Sequence, residues 1–179
     1  DTFFEIDEPL DFLIVERLLA NQHKIDYKRK IKLFATDCDG VLTDGGMYYS
    51  PEGDNMKKFN TKDGMGLSLL KENGIITAII TGEDSEIVKK RAKKLNIDEV
   101  YLGCKNKVAA MEELLKKYNF TFEEVAYIGD DINDLDLLKK VGLSLSVNDA
   151  IDIVKQNVHY VTKKNGGEGA VREAVEFIL

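Results

Sequence analysis

Phe34-Ala-Thr-Asp37-Cys-Asp39-Gly-Val-Leu-Thr-Asp44 continues an apolar run that begins at Ile31 and is broken only by Lys32. Such a run reads as a buried strand. Its end is abrupt: two aspartates one residue apart, then a glycine. Alternation along a strand sends Asp37 and Asp39 to the same side. Two carboxylates crowded in this way repel unless a cation or a shared proton compensates. An Asp-Gly turn after a strand is ordinary by itself. At the carboxyl end of a parallel strand, however, an open α/β sheet places its ligands.

The rest of the chain predicts such a sheet. Gly45 to Ser50 and Asn55 to Phe59 flank a Pro51-Glu-Gly-Asp54 turn and read as a β-hairpin. Thr61-Lys-Asp63-Gly-Met-Gly66 reads as a polar glycine loop before a helix from Leu67 to Glu72, closed by Asn73-Gly74. Ile75 to Ile80 is a second buried strand and stops at Thr81-Gly82. Asp84 or Ser85 caps the next helix. A short strand from Glu99 to Leu102 and a helix from Asn106 to Tyr118 follow. Val125 to Ile128 is the fourth strand and ends in Gly129-Asp130-Asp131. A helix from Ile132 to Lys140, strands over Leu143 to Val147 and Val158 to Val161, and a helix from Glu168 to Ile178 complete the order. Strands alternating with helices make an α/β, doubly wound parallel sheet.

The 179 residues suit one domain with a substantial core. A hydrophobic fraction of 44% and a charged fraction of 32% are those of a globular chain. The net charge of -7, with no basic stripe to offset it, argues against nucleic acid as a partner. No apolar run reaches membrane-spanning length and no signal peptide is visible, so no membrane partner is expected. Cys38 and Cys104 lack metal-site spacing and read as reduced thiols of a cytoplasmic protein. His23 and His159 fit no site pattern.

Polar clusters follow successive strands: Asp37 and Asp39, Thr81-Gly82, and Asp130-Asp131, with Lys107 in the first turn of a helix. Right-handed crossovers bring the carboxyl ends of parallel strands to one edge. Three carboxylates there can hold Mg²⁺, a hard cation that prefers oxygen. A hydroxyl, a backbone amide and a lysine are what phosphoryl oxygens need around them. Each cluster alone is commonplace; their joint occurrence in this order is not.

In combination, Asp37-x-Asp39-Gly-Val-Leu-Thr-Asp44, Ile80-Thr81-Gly82, Lys107 and Gly129-Asp130-Asp131-x-Asn133-Asp134 resemble the four motifs of the haloacid dehalogenase superfamily phosphatases, over about residues 30–179. The resemblance implies that Asp37 is a nucleophile forming an aspartyl-phosphate, and that Asp39 is first general acid and then general base. It implies Mg²⁺ held by Asp37, the backbone carbonyl of Asp39, and Asp130. Thr81, Gly82 and Lys107 would bind the phosphoryl oxygens. The intervals from Asp39 to Thr81 and from Thr81 to Lys107 have no room for a cap domain. An uncapped site excludes water poorly, and a neighbouring subunit would supply the cover. This is similar to the capless, tetrameric subfamily acting on 3-deoxy-manno-octulosonate 8-phosphate and on nonulosonate 9-phosphates.

Gly45-Gly46, Thr61 to Gly64 and Gly166-Gly-Glu-Gly169-Ala-Val-Arg172-Glu also look like that subfamily, which brings Asp63 and Arg172 into the substrate-binding set. Gly166-Gly167 reads as a hinge that would let the C-terminal segment reach a neighbour. Glu83, where the octulosonate enzymes tend to carry arginine, and Lys94 resemble the nonulosonate enzymes. The expected substrate is therefore the 9-phosphate of a nonulosonate, either 2-keto-3-deoxynonulosonate or N-acetylneuraminate. The octulosonate 8-phosphate is the alternative, and a non-catalytic oligomerisation domain of a CMP-sialate synthase the second alternative.

Residues 1–29 read as an amphipathic helix and linker ahead of a phosphatase domain over 30–179. Phe4 to Glu16 is similar to the last helix of cytidylyltransferases that activate sialic acids, which would make the phosphatase the second part of a bifunctional protein.

Overall fold

The computed structural model describes residues 30–51 and 53–179; the expected N-terminal helix and linker lie outside them. Six parallel strands form the main sheet in the order β5-β4-β1-β6-β7-β8. They are β1 (Leu33–Thr36), β4 (Ile76–Ile80), β5 (Glu99–Tyr101), β6 (Val125–Gly129), β7 (Leu143–Ser146) and β8 (Tyr160–Val161). In register, Leu33 lies beside Ile76 and Val125, and Thr36 beside Ile79 and Ile128. The strand order reverses at β1, the position where a doubly wound sheet opens a crevice. β1 is buried along its whole length, and Phe34, Leu33, Tyr127 and Ile128 are the large side chains sealed at its centre. Removing a ring such as that of Phe34 from this layer would cost about 3–5 kcal/mol.

The expected hairpin is present as an antiparallel pair, β2 (Tyr48–Ser50) and β3 (Gly53–Met56), separate from the main sheet. It holds Met47, Tyr48, Tyr49 and Met56 out in solvent. Between it and β4 stands α1 (Thr61–Glu72). Here the structure corrects the sequence reading: the polar glycine stretch is the first half of a helix. Asn60 caps it, its side chain accepting from the Lys62 amide. The glycines serve close packing. A Cβ on Gly66 would stand 3.1 Å from the Arg172 Cα, and one on Gly64 2.9 Å from Leu95. The helix against which Gly66 packs is α6 (Ala170–Ile178), whose inner face is Ala170, Val171, Ala174, Val175 and Ile178.

The remaining helices are α2 (Glu86–Lys94), α3 (Lys107–Tyr118), α4 (Leu135–Leu138) and α5 (Asp152–Lys155), with 3₁₀ turns at Phe122–Glu124 and Ile132–Asp134. The expected continuous helix from Ile132 is thus a 3₁₀ turn followed by a short α-helix. Among the described residues no helix is long and apolar enough to cross a membrane.

Candidate active site

Asp37 follows β1 directly, and its amide still donates to the Ile128 carbonyl at 3.0 Å as if the ladder continued. The chain then curls. The Cys38 carbonyl accepts the amides of Val41, Leu42 and Thr43 at 3.3, 2.9 and 3.0 Å. Gly40 makes the curl possible with φ +82°, a conformation that side chains with a Cβ resist. The Gly166-Gly167 pair packs beneath it: a Cβ on Gly166 would fall 1.8 Å from the Gly40 carbonyl oxygen, and the Gly167 amide donates to the Val41 carbonyl at 2.9 Å. These two glycines, expected to act as a hinge towards a neighbour, are buried against this chain's own loop because only a bare backbone fits there.

Seven of the predicted residues converge. Asp37, Asp39, Thr81, Gly82, Glu83 and Asp130 line one cavity of about 220 Å³, together with Asp131 and Asn133. Lys107 stands behind it, only 3% exposed at its side chain, with Nζ 2.9 Å from Asp37 Oδ1 and 2.7 Å from Asp134 Oδ1. Asp37 Oδ1 also accepts the Cys38 amide at 2.7 Å. Thr81, 1% exposed, follows β4 directly and accepts the Glu83 amide on its hydroxyl at 3.4 Å.

Asp134 was in the quoted motif but outside the predicted site, and it organises the cluster. It is fully buried. Oδ1 accepts from Lys107 and, at 2.5 Å, from the Tyr127 hydroxyl. Oδ2 accepts the amides of Asp130 and Asp131 at 3.0 and 3.3 Å. Its lone pairs are therefore committed. Gly129 is required beside it, since a Cβ there would lie 2.5 Å from the Asp134 carboxyl carbon.

The electrostatics mark a site short of positive charge. Burial, then the charge of Asp134, pushes Asp37 up to about 6 although Lys107 pulls the other way. Burial and the charges of Asp37 and Asp134 push Asp130 up to about 8. Burial lowers Lys107, but the two carboxylates outweigh it and hold the ammonium above its usual value. Burial also pushes the Cys38 thiol up, so it is inert.

Carboxylate oxygens of Asp37, Asp130 and Asp134 lie within 4.8 Å of one another, and Asp130 Oδ1 is buried with no hydrogen-bond partner. A hard divalent cation fits that donor set and removes the repulsion. Because Asp134 is saturated, Asp37 and Asp130 are the side chains that would hold the ion, with Asp134 orienting them. The expected contribution of Asp39 was its backbone carbonyl, and its side chain is engaged elsewhere. Bound Mg²⁺ would supply the positive charge that lets a phosphate dianion approach these carboxylates.

Three predicted residues stand apart from the cavity. Lys94 is exposed at the end of α2. Asp63 is 1% exposed and accepts the Arg172 amide at 2.8 Å, capping α6. The Arg172 side chain pairs with Glu176 at 2.7 Å and lines a separate groove with Thr61, Lys62, Met65 and Lys164. The sequence reading also passed over Lys57, whose ammonium lies 2.7 Å from Asp39. Alternation in the sequence points the other way, an apolar Met56 inward and Lys57 outward; the structure instead exposes Met56.

A model of the haloacid dehalogenase-like hydrolases matches residues 100–174. The chain is 42% identical over 149 residues to the 3-deoxy-D-manno-octulosonate 8-phosphate phosphatase of Yersinia pestis, covering 83% of this chain and 80% of that one. A crystal structure of the Moraxella catarrhalis 3-deoxy-D-manno-octulosonate 8-phosphate phosphatase, in complex with magnesium, phosphate and KDO, superposes with a TM-score of 0.85 at 43% identity, covering 89% and 91% of the two chains. A haloacid dehalogenase superfamily subfamily III A hydrolase from Legionella pneumophila gives a TM-score of 0.88 at 38% identity, covering 92% and 91%. The chain belongs to the haloacid dehalogenase-like hydrolases and is a Mg²⁺-dependent phosphatase of their small, capless kind.

Proposed function

We propose that this phosphatase removes the terminal phosphate of a 3-deoxy-2-ulosonate sugar acid, with the octulosonate 8-phosphate as first substrate and a nonulosonate 9-phosphate as second. The observation that carries the reaction class is the cavity holding Asp37, Thr81, Gly82 and Asp130 in front of buried Lys107. Support for the octulosonate is the 42% identity to the Yersinia pestis phosphatase over most of both chains. It reverses the order of preference suggested by Glu83, which lines the cavity and still favours the nonulosonate.

In this reading a carboxylate oxygen of Asp37 attacks phosphorus and the sugar oxygen leaves with a proton from Asp39. Asp39 then takes a proton from the water that attacks the aspartyl-phosphate, releasing inorganic phosphate and free Asp37. Thr81, the Gly82 amide and Lys107 hold the phosphoryl oxygens. The buried, charged constellation is what a catalytic rather than an oligomerisation domain requires.

The cavity, at about 220 Å³, is smaller than the pockets that enclose whole organic ligands. It suits a phosphoryl group and leaves the sugar outside. A homotetramer in which a neighbour covers the sugar, bringing Lys94 or Arg172 to the carboxylate of the sugar acid, would close it. The hairpin residues Met47, Tyr48, Tyr49 and Met56 offer apolar surface for such an assembly. A cytoplasmic location accords with free Cys38 and Cys104. Steady-state rates on the octulosonate 8-phosphate and the two nonulosonate 9-phosphates test the assignment. A kcat/KM on all three no better than on a generic aryl phosphate would reject a sugar-acid substrate.

A further inference from the structure

We infer that Lys57 is the positioning residue for Asp39, and that it selects Oδ2 of Asp39 as the oxygen that meets the leaving group. The Lys57 side chain is 0% exposed, and its ammonium lies 2.7 Å from Asp39 Oδ1. The Thr43 hydroxyl reaches the same oxygen at 3.4 Å. Asp39 Oδ2 is buried with no hydrogen-bond partner, on a residue that lines the cavity. One oxygen is therefore clamped and the other left without a partner.

Lys57 is placed to do this by the hairpin. It follows β3 directly, between Met56, which is 59% exposed, and Lys58, whose side chain is 57% exposed and pairs with Asp44. Alternation turns Lys57 alone inward. An ammonium taken fully out of water is costly unless paired and hydrogen-bonded. A surface lysine would serve the hairpin's folding equally well, so its burial against a site carboxylate points to a role there. The clamp also fixes the carboxylate plane, and proton transfer depends on such alignment.

This inference rests on the reading of Asp39 as proton donor, and the experiment separates the two. Activity is measured on a sugar-acid phosphate, whose alkoxide must leave with a proton, and on p-nitrophenyl phosphate, whose phenolate leaves without one. Asp39→Asn should lower kcat/KM, which reports formation of the aspartyl-phosphate alone, by about 10²–10⁴-fold on the sugar phosphate and spare kcat/KM on the aryl ester, while kcat falls on both because Asp39 also serves the shared hydrolysis step; if kcat/KM does not separate the esters, the reading of Asp39 fails. Lys57→Met should show the same selectivity to a smaller degree, with KM little changed, and should cost nothing further in the Asp39→Asn background. Lys57→Arg should recover most of the lost rate. Equal losses of kcat/KM on both esters, or an additive loss in the double variant, would overturn the inference. If the Met variant does not fold, Lys57→Gln carries the same comparison, and full activity of that folded variant on the sugar phosphate overturns it equally.

Discussion

A Cβ placed on Gly40 would lie 2.0 Å from Oδ2 of Asp130. The turn after β1 and the turn after β6 thus meet without space for a methyl group, and Gly40 holds φ +82° besides. Gly40→Ala is expected to displace Asp130 and to weaken Mg²⁺ binding together with kcat. The strained backbone should also cost about 1–3 kcal/mol of stability. Gly53 is the control, since it has φ +120° and a methyl group added there would meet nothing within 4 Å. Gly53→Ala should therefore carry the strain alone and keep Mg²⁺ affinity, as read by calorimetric titration. Equal loss of affinity in both variants would refute the contact.

Asp37→Asn should abolish turnover while the fold persists. A neutral amide cannot act as the attacking carboxylate, yet it keeps the shape of the side chain. Without metal, the variant should be at least as stable as the parent near pH 8, because burial and the charge of Asp134 penalise ionised Asp37. Circular dichroism melting and a phosphate-release assay test both halves. Residual activity near the parental rate would remove Asp37 from the nucleophile's place.

The succession of strands and helices along the chain, the hairpin and the convergence of Asp37, Thr81 and Asp130 were legible in the sequence; the order of the strands within the sheet was not. The reason is that buried parallel strands are continuous apolar runs, and their ends are marked by abrupt polarity. The first half of α1 was not legible, since Gly64 and Gly66 lower helix propensity and their value lies in contact with Leu95 and Arg172. Asp134 was overlooked because its neighbours Asp130 and Asp131 carry equal charge in sequence; only burial distinguishes the organiser from the ligand. Asp63 entered the substrate set because the stretch from Thr61 to Gly64 resembles the capless subfamily. A polar residue before a glycine shows nothing of the α6 amide it caps more than a hundred positions away.

Stability of the metal-free protein should fall as pH rises from 5 to 9. Folded Asp37 and Asp130 titrate near about 6 and about 8, against 3.8 for an ordinary aspartate. The native state therefore holds more protons than the unfolded state through this window, and stability declines with pH. The contribution of these two groups is complete below pH 3.8 and is lost as pH passes their folded values. Carboxylates held low, such as Asp98, act only at acid pH and do not oppose the trend. Added Mg²⁺ should raise the melting temperature most at the alkaline end, where both ligands are ionised. A Mg²⁺ effect that is larger at pH 5 than at pH 8 would contradict the assigned ligands.

Asp134→Asn should damage the fold as well as the reaction. It forces an amide donor either against the Asp130 and Asp131 amides or against the Lys107 ammonium, and otherwise leaves Lys107 beside a weaker acceptor. Breaking a buried pair of this kind costs about 3–5 kcal/mol. Tyr127→Phe removes one hydrogen bond to a charged group and should cost about 1.5–3 kcal/mol, with Mg²⁺ affinity reduced less than in Asp134→Asn. Urea titrations give both differences. If Asp134→Asn were no more destabilising than Tyr127→Phe, Asp134 would not be the centre of the cluster.

Substrate choice should respond to Glu83 and not to the groups behind the phosphate. Lys107 and Thr81 would treat any phosphate alike, whereas Glu83 is exposed and lines the cavity, where the proposed sugar would emerge. As a carboxylate it can accept hydrogen bonds from sugar hydroxyls; an arginine there would reverse the charge and add bulk. Glu83→Arg is expected to shift the ratio of kcat/KM towards the octulosonate 8-phosphate and away from the nonulosonate 9-phosphates. A lost charge-assisted hydrogen bond is worth about 1.5–3 kcal/mol, or about ten- to a hundredfold in kcat/KM. Lys94, exposed at the far end of α2, can share in this only across an interface. Lys94→Ala should lower kcat/KM for the sugar acid in the assembled enzyme while sparing an aryl phosphate. Dilution to monomer, followed by light scattering, should then erase the difference between Lys94→Ala and the parent. If that difference survives in a monomer, Lys94 acts within its own chain, and the inter-subunit account of the carboxylate is wrong.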